Sequence, residues 1–273
     1  MPDTKDLLIV FDLVSTLTDA GPRYVHAFID VCKKYDYPVP DEDEVLDMLG
    51  NKNLKEIIAH FIGPLDDEKR GQFMGSCNNT CDAMLFAEDW NESLFPNVKE
   101  TLEMLHSAGY PLGIYTGTRE NALDDQINYH GIAHLFDPNY LRGKDNERDA
   151  GLSTKEIKAQ QLHSLVEQHR IDCKKDAVSV LVVGDSAADA ESASEHGYLF
   201  IGFAENERKK EKLLQSDVKF LITDFADLPY LLQIATTPVG PVDDKCRGAM
   251  KKEPPETLKA MRKCLNKLLV RGL

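Results

Sequence analysis

The stretch Leu7-Leu8-Ile9-Val10-Phe11-Asp12-Leu13-Val14-Ser15-Thr16 decides the fold. Its first five residues are an unbroken apolar run that ends on an aspartate. Side chains alternate faces along a strand, so such a run predicts a strand buried on both faces, as in a parallel sheet. Similar runs occupy residues 112–115, leading into Thr116-Gly117, and 180–183, leading into Gly184-Asp185. Two more lie at 198–202 and 218–222. Apolar residues at helical spacing fill 97–108, 155–169 and 187–195 between them. Alternation of this kind predicts an α/β fold with a Rossmann-like parallel sheet. Sites in such sheets lie at the carboxyl ends of the strands, where Asp12, Thr116 and Asp185 fall.

Residues 20–95 read differently. Strand runs are missing, and helical spacing recurs at 24–35, 42–49 and 54–61, with Gly63-Pro64 and Gly71 as breaks. The expected division is a core segment 1–19, a helical insert 20–95, a core segment 96–240 and a basic tail 241–273. Residues 245–273 hold nine Lys/Arg against two acids, about +7, in a chain whose net charge is −14. Leu258, Met261, Leu265 and Leu268 would line one face of a tail helix, docked on the acidic body or forming a homodimer seam.

The net charge argues against nucleic acid and anionic membranes as partners. No stretch reaches the roughly 18 apolar residues of a membrane span, and residues 1–11 lack the features of a signal peptide. A cytoplasmic protein with reduced cysteines is the expectation. Cys77 and Cys81, four apart, read as two positions on one helix face, and His130 and His134 as surface or capping residues.

Four motifs stand in order at the strand ends: Asp12 to Asp19, Thr116-Gly117, Thr154-Lys155-Glu156 and Gly184-Asp185-Ser186-Ala187-Ala188-Asp189. Together they resemble the signature of the haloacid dehalogenase superfamily, over roughly residues 7–230, and in particular its phosphoglycolate phosphatase-like and phosphonatase-like members. The resemblance implies a core sheet with an inserted α-helical cap and hydrolysis of a small phosphorylated substrate. It implies Asp12 as a nucleophile that becomes an aspartyl phosphate. It implies Mg2+ held by Asp12, the Val14 carbonyl and Asp185, with Asp189 as a ligand or just behind the ligands. Thr116 and Gly117 would bind phosphate oxygens. Lys155 would pair with Asp12 and the phosphate, with Lys158, one turn later, as the alternative. The chemistry is coherent, because an anionic nucleophile meeting a phosphoryl group needs its repulsion cancelled by fixed donors and a hard cation.

One position departs from the pattern. The superfamily's phosphatases usually carry a second aspartate two residues after the nucleophile, as acid and then base, and here Val14 stands there. General acid–base help is typically worth about 10²–10⁴-fold. Phosphonoacetaldehyde hydrolases do without that aspartate by using a cap lysine as a Schiff base, for which Lys52 is the candidate. Haloacid dehalogenases also lack it, but need no metal and differ in the fourth motif. A degenerate member that binds ligand without turnover is a third reading. Arg23, just past the first motif, could meet a substrate anion.

Overall fold

The computed structural model describes residues 4–49, 52–145, 148–149, 151–216 and 218–236. The expected tail helix lies outside the described residues. The sheet comprises β1 (Leu7–Phe11), β2 (Leu112–Arg119), β3 (Leu141–Lys144), β4 (Ser179–Gly184), β5 (Leu199–Phe203) and β6 (Leu221–Ile222). All pairings are parallel, in the order β3-β2-β1-β4-β5-β6, so β1 lies centrally between β2 and β4.

The apolar run of β1 serves two cores. Leu7, Ile9 and Phe11 enter one cluster, while Leu8 and Val10 enter another on the opposite face. The first face is covered by α5 (Val98–Ser107), α6 (Glu120–Tyr129) and α10 (Asp227–Thr236), through Leu102, Ile127 and Leu228 among others. The second is covered by α7 (Thr154–Cys173) and α8 (Ala187–Glu195), through Leu162, Leu165, Val166 and Ala193. A five-residue run buried throughout needs cover on both faces of the sheet, a three-layer arrangement. A further helix, α9 (Glu207–Gln215), follows β5.

Between β1 and α5 the chain forms α1 (Gly21–Lys34), α2 (Glu42–Met48), α3 (Leu54–Phe61) and α4 (Asp67–Leu85). These helices share an apolar cluster of their own, including Phe28, Val45, Ile57, Ile58 and Phe73. The insert leaves and returns at one point. Thr18 bridges Leu94 antiparallel, Asp19 N donates to Ser93 O (2.9 Å) and Phe95 N to Leu17 O (3.0 Å).

Two elements differ from the sequence expectation. Gly71 does not break a helix but lies inside α4, where a side chain would meet open space. The helix carries it because Asp66 caps the first turn and Phe73, Cys77, Cys81 and Leu85 form a buried stripe at intervals of four. Helix α4 was outside the expected set, as was β3, a short edge strand with two cationic side chains. Gly143 makes β3 possible: a Cβ there would lie 2.6 Å from the backbone N and Cα of Glu120, at the start of α6. Gly143→Ala is expected to destabilise the fold by about 1–3 kcal/mol through this overlap, measured by urea unfolding.

Candidate active site

Adjacent strands bring the three expected polar residues together. Asp12 follows β1 with its N–H on Val183 O (2.9 Å), Asp185 follows β4, and Thr116 lies within β2, which continues to Arg119 instead of ending there. Asp12, Asp185 and Asp189 are buried, and one carboxylate oxygen from each lies within 4.8 Å of the others. The turn after Asp12 is tight: Ser15 adopts φ 63°, and Ser15 N donates to Thr18 O at 2.8 Å.

The lysine at this cluster is Lys158, not Lys155. Lys158 Nζ lies 3.2 Å from Asp12 Oδ1 and 2.6 Å from Asp189 Oδ1, with its side chain 4% exposed. Lys155 sits in the first turn of α7, 42% exposed, and pairs with Glu191 (3.1 Å) and Glu195 (2.7 Å) of α8. The stripe that α7 turns to the sheet runs Lys158, Gln161, Leu162, Leu165. That stripe was the available signal, because it extends back from the apolar residues to Lys158.

Asp189 is saturated. Its Oδ1 accepts from Tyr115 OH (2.6 Å) and Lys158 Nζ (2.6 Å), and its Oδ2 from Ser186 N (3.1 Å) and Ser186 Oγ (2.6 Å). A carboxylate has about four acceptor positions, so Asp189 is close to the other acids yet has little left for an ion. Gly184 makes room for it, since a Cβ there would come within 2.6 Å of the Asp189 carboxyl carbon. Asp185 accepts from Thr16 Oγ1 (3.0 Å) and pairs with Lys209 Nζ of α9 (2.6 Å). Tyr115 and Lys209 carry no signal in the sequence: Tyr115 reads as a core residue, and Lys209 meets Asp185 only through the fold, while Thr16 is read only as part of the Asp12–Asp19 motif.

Electrostatics separates the two metal-type acids. Burial, reinforced by Asp189 and Asp185, outweighs Lys158 and holds the Asp12 carboxyl well above the usual carboxylate range. Burial pushes Asp185 the same way, but Lys209, Lys158 and the Thr16 hydroxyl together hold it below. Burial and the neighbouring Asp189 push the Tyr115 phenol well up, so it stays a donor.

A cavity of about 200 Å³ opens above Asp12. Thr116, Gly117, Val14 and Lys158 form its floor, and Lys52, Leu54, Ile57 and Met74 belong to the insert. Gln161 Nε2 donates to Thr116 O (2.9 Å), and Thr116 Oγ1 accepts from Thr118 N (3.2 Å). Lys52 lines the cavity but is half exposed and paired with Glu56 at 3.4 Å. Arg23 is not at the cavity. It is buried, with Nε 2.6 Å from Glu92 Oε2 and Nη1 donating to Cys81 O at 3.1 Å, so its donors are consumed within the fold. His130 caps α6 as expected but is buried, 3.0 Å from Glu92 Oε1, and His134 lies in a separate turn. Cys77 and Cys81 are buried on one face of α4.

A model of the haloacid dehalogenase-like hydrolases matches residues 9–203. The chain belongs to this family. It is a hydrolase of the phosphatase type that its relatives represent. It is 28% identical over 227 residues to the phosphoglycolate phosphatase of Vibrio cholerae, covering 81% of this chain and 94% of that one. It is 28% identical to that of Pasteurella multocida, covering 84% and 100%. Its fold is similar to that of a predicted phosphoglycolate phosphatase from Haemophilus somnus (TM-score 0.69, 24% identity, 83% and 97% covered). A haloacid dehalogenase-like family hydrolase from Streptococcus pneumoniae superposes with TM-score 0.67 at 22% identity, covering 84% and 100%. Among the described residues, no helix is long and apolar enough to cross a membrane.

The two lysines should respond differently to removal. Lys155→Ala is expected to leave the unfolding midpoint essentially unchanged, as for an exposed pair. Lys158→Met should cost about 3 kcal/mol, because it strands buried carboxylates. Urea unfolding without added divalent cation reads both.

Proposed function

We propose that this chain hydrolyses a small organic phosphate through an aspartyl phosphate on Asp12. One observation supports the reading above the others: Asp12 lies at the cavity floor, 3.2 Å from the Lys158 ammonium, beside Thr116 and Gly117. Asp12 attacks phosphorus and the leaving oxygen departs. Lys158 offsets the charge that Asp12 and the phosphoryl oxygens bring together, and the Thr116 hydroxyl and Gly117 N–H donate to those oxygens. Water then attacks the phosphoaspartate, releasing phosphate and restoring Asp12. The family relation supports the reaction class, and the relatives' names supply small phosphorylated acids as the nearest substrate models.

The residues fit a hard divalent ion. Clustered, buried carboxylate oxygens are the donor set that Mg2+ prefers. Asp12, Asp185 and the Val14 carbonyl would hold it. Asp189, with its acceptor positions engaged, orients Lys158. The ion, when bound, supplies positive charge against the phosphoryl oxygens.

A C–P cleavage through Lys52 has its presence at the cavity in its favour. A Schiff-base lysine must be desolvated and uncharged, whereas Lys52 is half exposed and paired with Glu56. A degenerate site is disfavoured because it retains costly buried charges in satisfied positions.

Turnover of an activated aryl phosphate is expected to fall at least about 10³-fold in Asp12→Asn and to stay within about twofold in Lys155→Ala. Chelation with EDTA should abolish activity, and excess Mg2+ restore it. Full activity in Asp12→Asn would refute the reading.

A further inference from the structure

The cavity departs from a generic phosphatase site in three ways that point to one kind of substrate. Among the described residues, its lining holds no carboxyl group besides Asp12 itself. Val14 occupies the position beside the nucleophile where an acid would stand. The hydroxyl of Tyr24 is engaged with Thr118 Oγ1 (3.1 Å) and Gln126 Nε2 (3.3 Å), and burial pushes its pKa up. Lys158 is held between Asp12 and Asp189. The described lining therefore offers the leaving oxygen no carboxyl group, and Tyr24 and Lys158 are engaged elsewhere. An alkoxide, close in basicity to hydroxide (water pKa ~15.7), is a poor group to expel in this way. A phenolate, with a conjugate acid of pKa about 10, is far better.

The second observation is the wall. Leu54, Ile57 and Met74, which belong to one apolar cluster of the insert, and Ile157 of α7 line the cavity with apolar surface. A glycolate-sized group has nothing to place there, whereas a ring does, and a methionine sulfur is a favourable neighbour for one.

The third is charge. In a chain of net charge −14, every charged group among the described residues lining the cavity, apart from Asp12, is a cation: Lys52, Arg119, Lys144 and Lys158. Lys158 serves Asp12, Arg119 is paired with Asp82, and Lys52 with Glu56. Lys144, directly across the β2–β3 register from Arg119, has no ion-pair partner among the described residues. Gly143 holds it there by letting β3 press against the start of α6.

From these we infer that the substrate is the phosphate ester of a phenol that carries a second anionic group, with its ring on the Leu54–Ile57–Met74 wall and the second anion on Lys144. This rests on the phosphatase reading above. An Asp12 carboxylate oxygen forms the new bond to phosphorus. The P–O(aryl) bond breaks with its electron pair on the phenolate oxygen, which takes a proton from water.

The test compares phenyl phosphate, 4-carboxyphenyl phosphate and phosphoglycolate on the full chain with Mg2+. kcat/KM for phenyl phosphate should exceed that for phosphoglycolate by about 10²-fold or more, the scale of a missing acid. The carboxylated ester should be favoured over phenyl phosphate about tenfold, mainly in KM. Lys144→Gln should bring that ratio down towards one, and Lys144→Arg should keep it. Val14→Asp should raise phosphoglycolate turnover more than phenyl phosphate turnover. Phosphoglycolate hydrolysed as fast as phenyl phosphate overturns the inference and leaves the phosphatase reading standing. A ratio unchanged in Lys144→Gln removes the second anion from it. No turnover of any of the three, with no Asp12-dependent binding of beryllium trifluoride by calorimetry, overturns the phosphatase reading itself.

Discussion

The Lys158 ammonium, buried between Asp12 and Asp189, is the contact on which the rest of the site depends. Three carboxylates meet at the ends of adjacent strands, and burial alone would favour their neutral forms. Two lysines answer them from different helices, Lys158 from α7 and Lys209 from α9. Taking ions out of water costs several kcal/mol each, which geometry must offset. Asp189 offsets it with four donors, two of them from the Ser186 cap of α8. That anchoring fixes Lys158, and Lys158 in turn fixes the charge beside Asp12.

The core was legible where burial on both faces writes a continuous apolar run, as in β1 and β4. It was illegible where the strand is at the edge. In β3 only the position of Gly143, pressed on Glu120, is dictated by packing, and the rest reads as loop. Helix α4 was hidden by Gly71, whose cost of about 1 kcal/mol is local while the Phe73-to-Leu85 stripe acts over the whole helix. Asp12 and Asp185 stand where apolar runs end in the sequence and strands end in the fold, whereas the apolar run before Thr116 stops short of the end of its strand, Arg119. Motif order favours Lys155 over Lys158, whereas the fold brings Lys158 to Asp12, because the face of α7 that meets the sheet carries Lys158. Tyr115 and Lys209 reach their partners across 74 and 24 residues of chain, and no local pattern encodes such meetings.

The insert is joined to the core by contacts of two strengths. At its root, Arg23, Glu92 and His130 form a buried, fully engaged group next to the Thr18–Leu94 bridge. Further out, the contacts are ion pairs at the surface: Arg119 with Asp82 on α4, and Arg208 and Lys212 with Asp47 on α2. Exposed pairs are worth about 0–1 kcal/mol each. A rigid root with weak outer ties is the arrangement that lets a covering element part from its base at low cost. Helix α9 contributes to both sides, since Arg208 and Lys212 hold the insert while Lys209 holds Asp185.

Val14 makes sense within the same charge balance. A carboxyl at that position would be a fourth acid beside Asp12, Asp185 and Asp189, with the nearby ammonium groups already committed to those three. Like charges at such separations push one another toward the neutral form, as they already do for Asp12. An apolar side chain adds no charge and needs no partner. It therefore leaves the compensation around Asp12 undisturbed and, on the proposed mechanism, moves the burden of departure onto the leaving group. On the proposed mechanism the attack side of the site is ionic and tightly held, while the leaving group meets Val14, apolar residues of the insert and cations rather than a carboxyl group of the described lining. On that mechanism the asymmetry selects by the acidity of what must leave, a criterion the family relation alone does not supply.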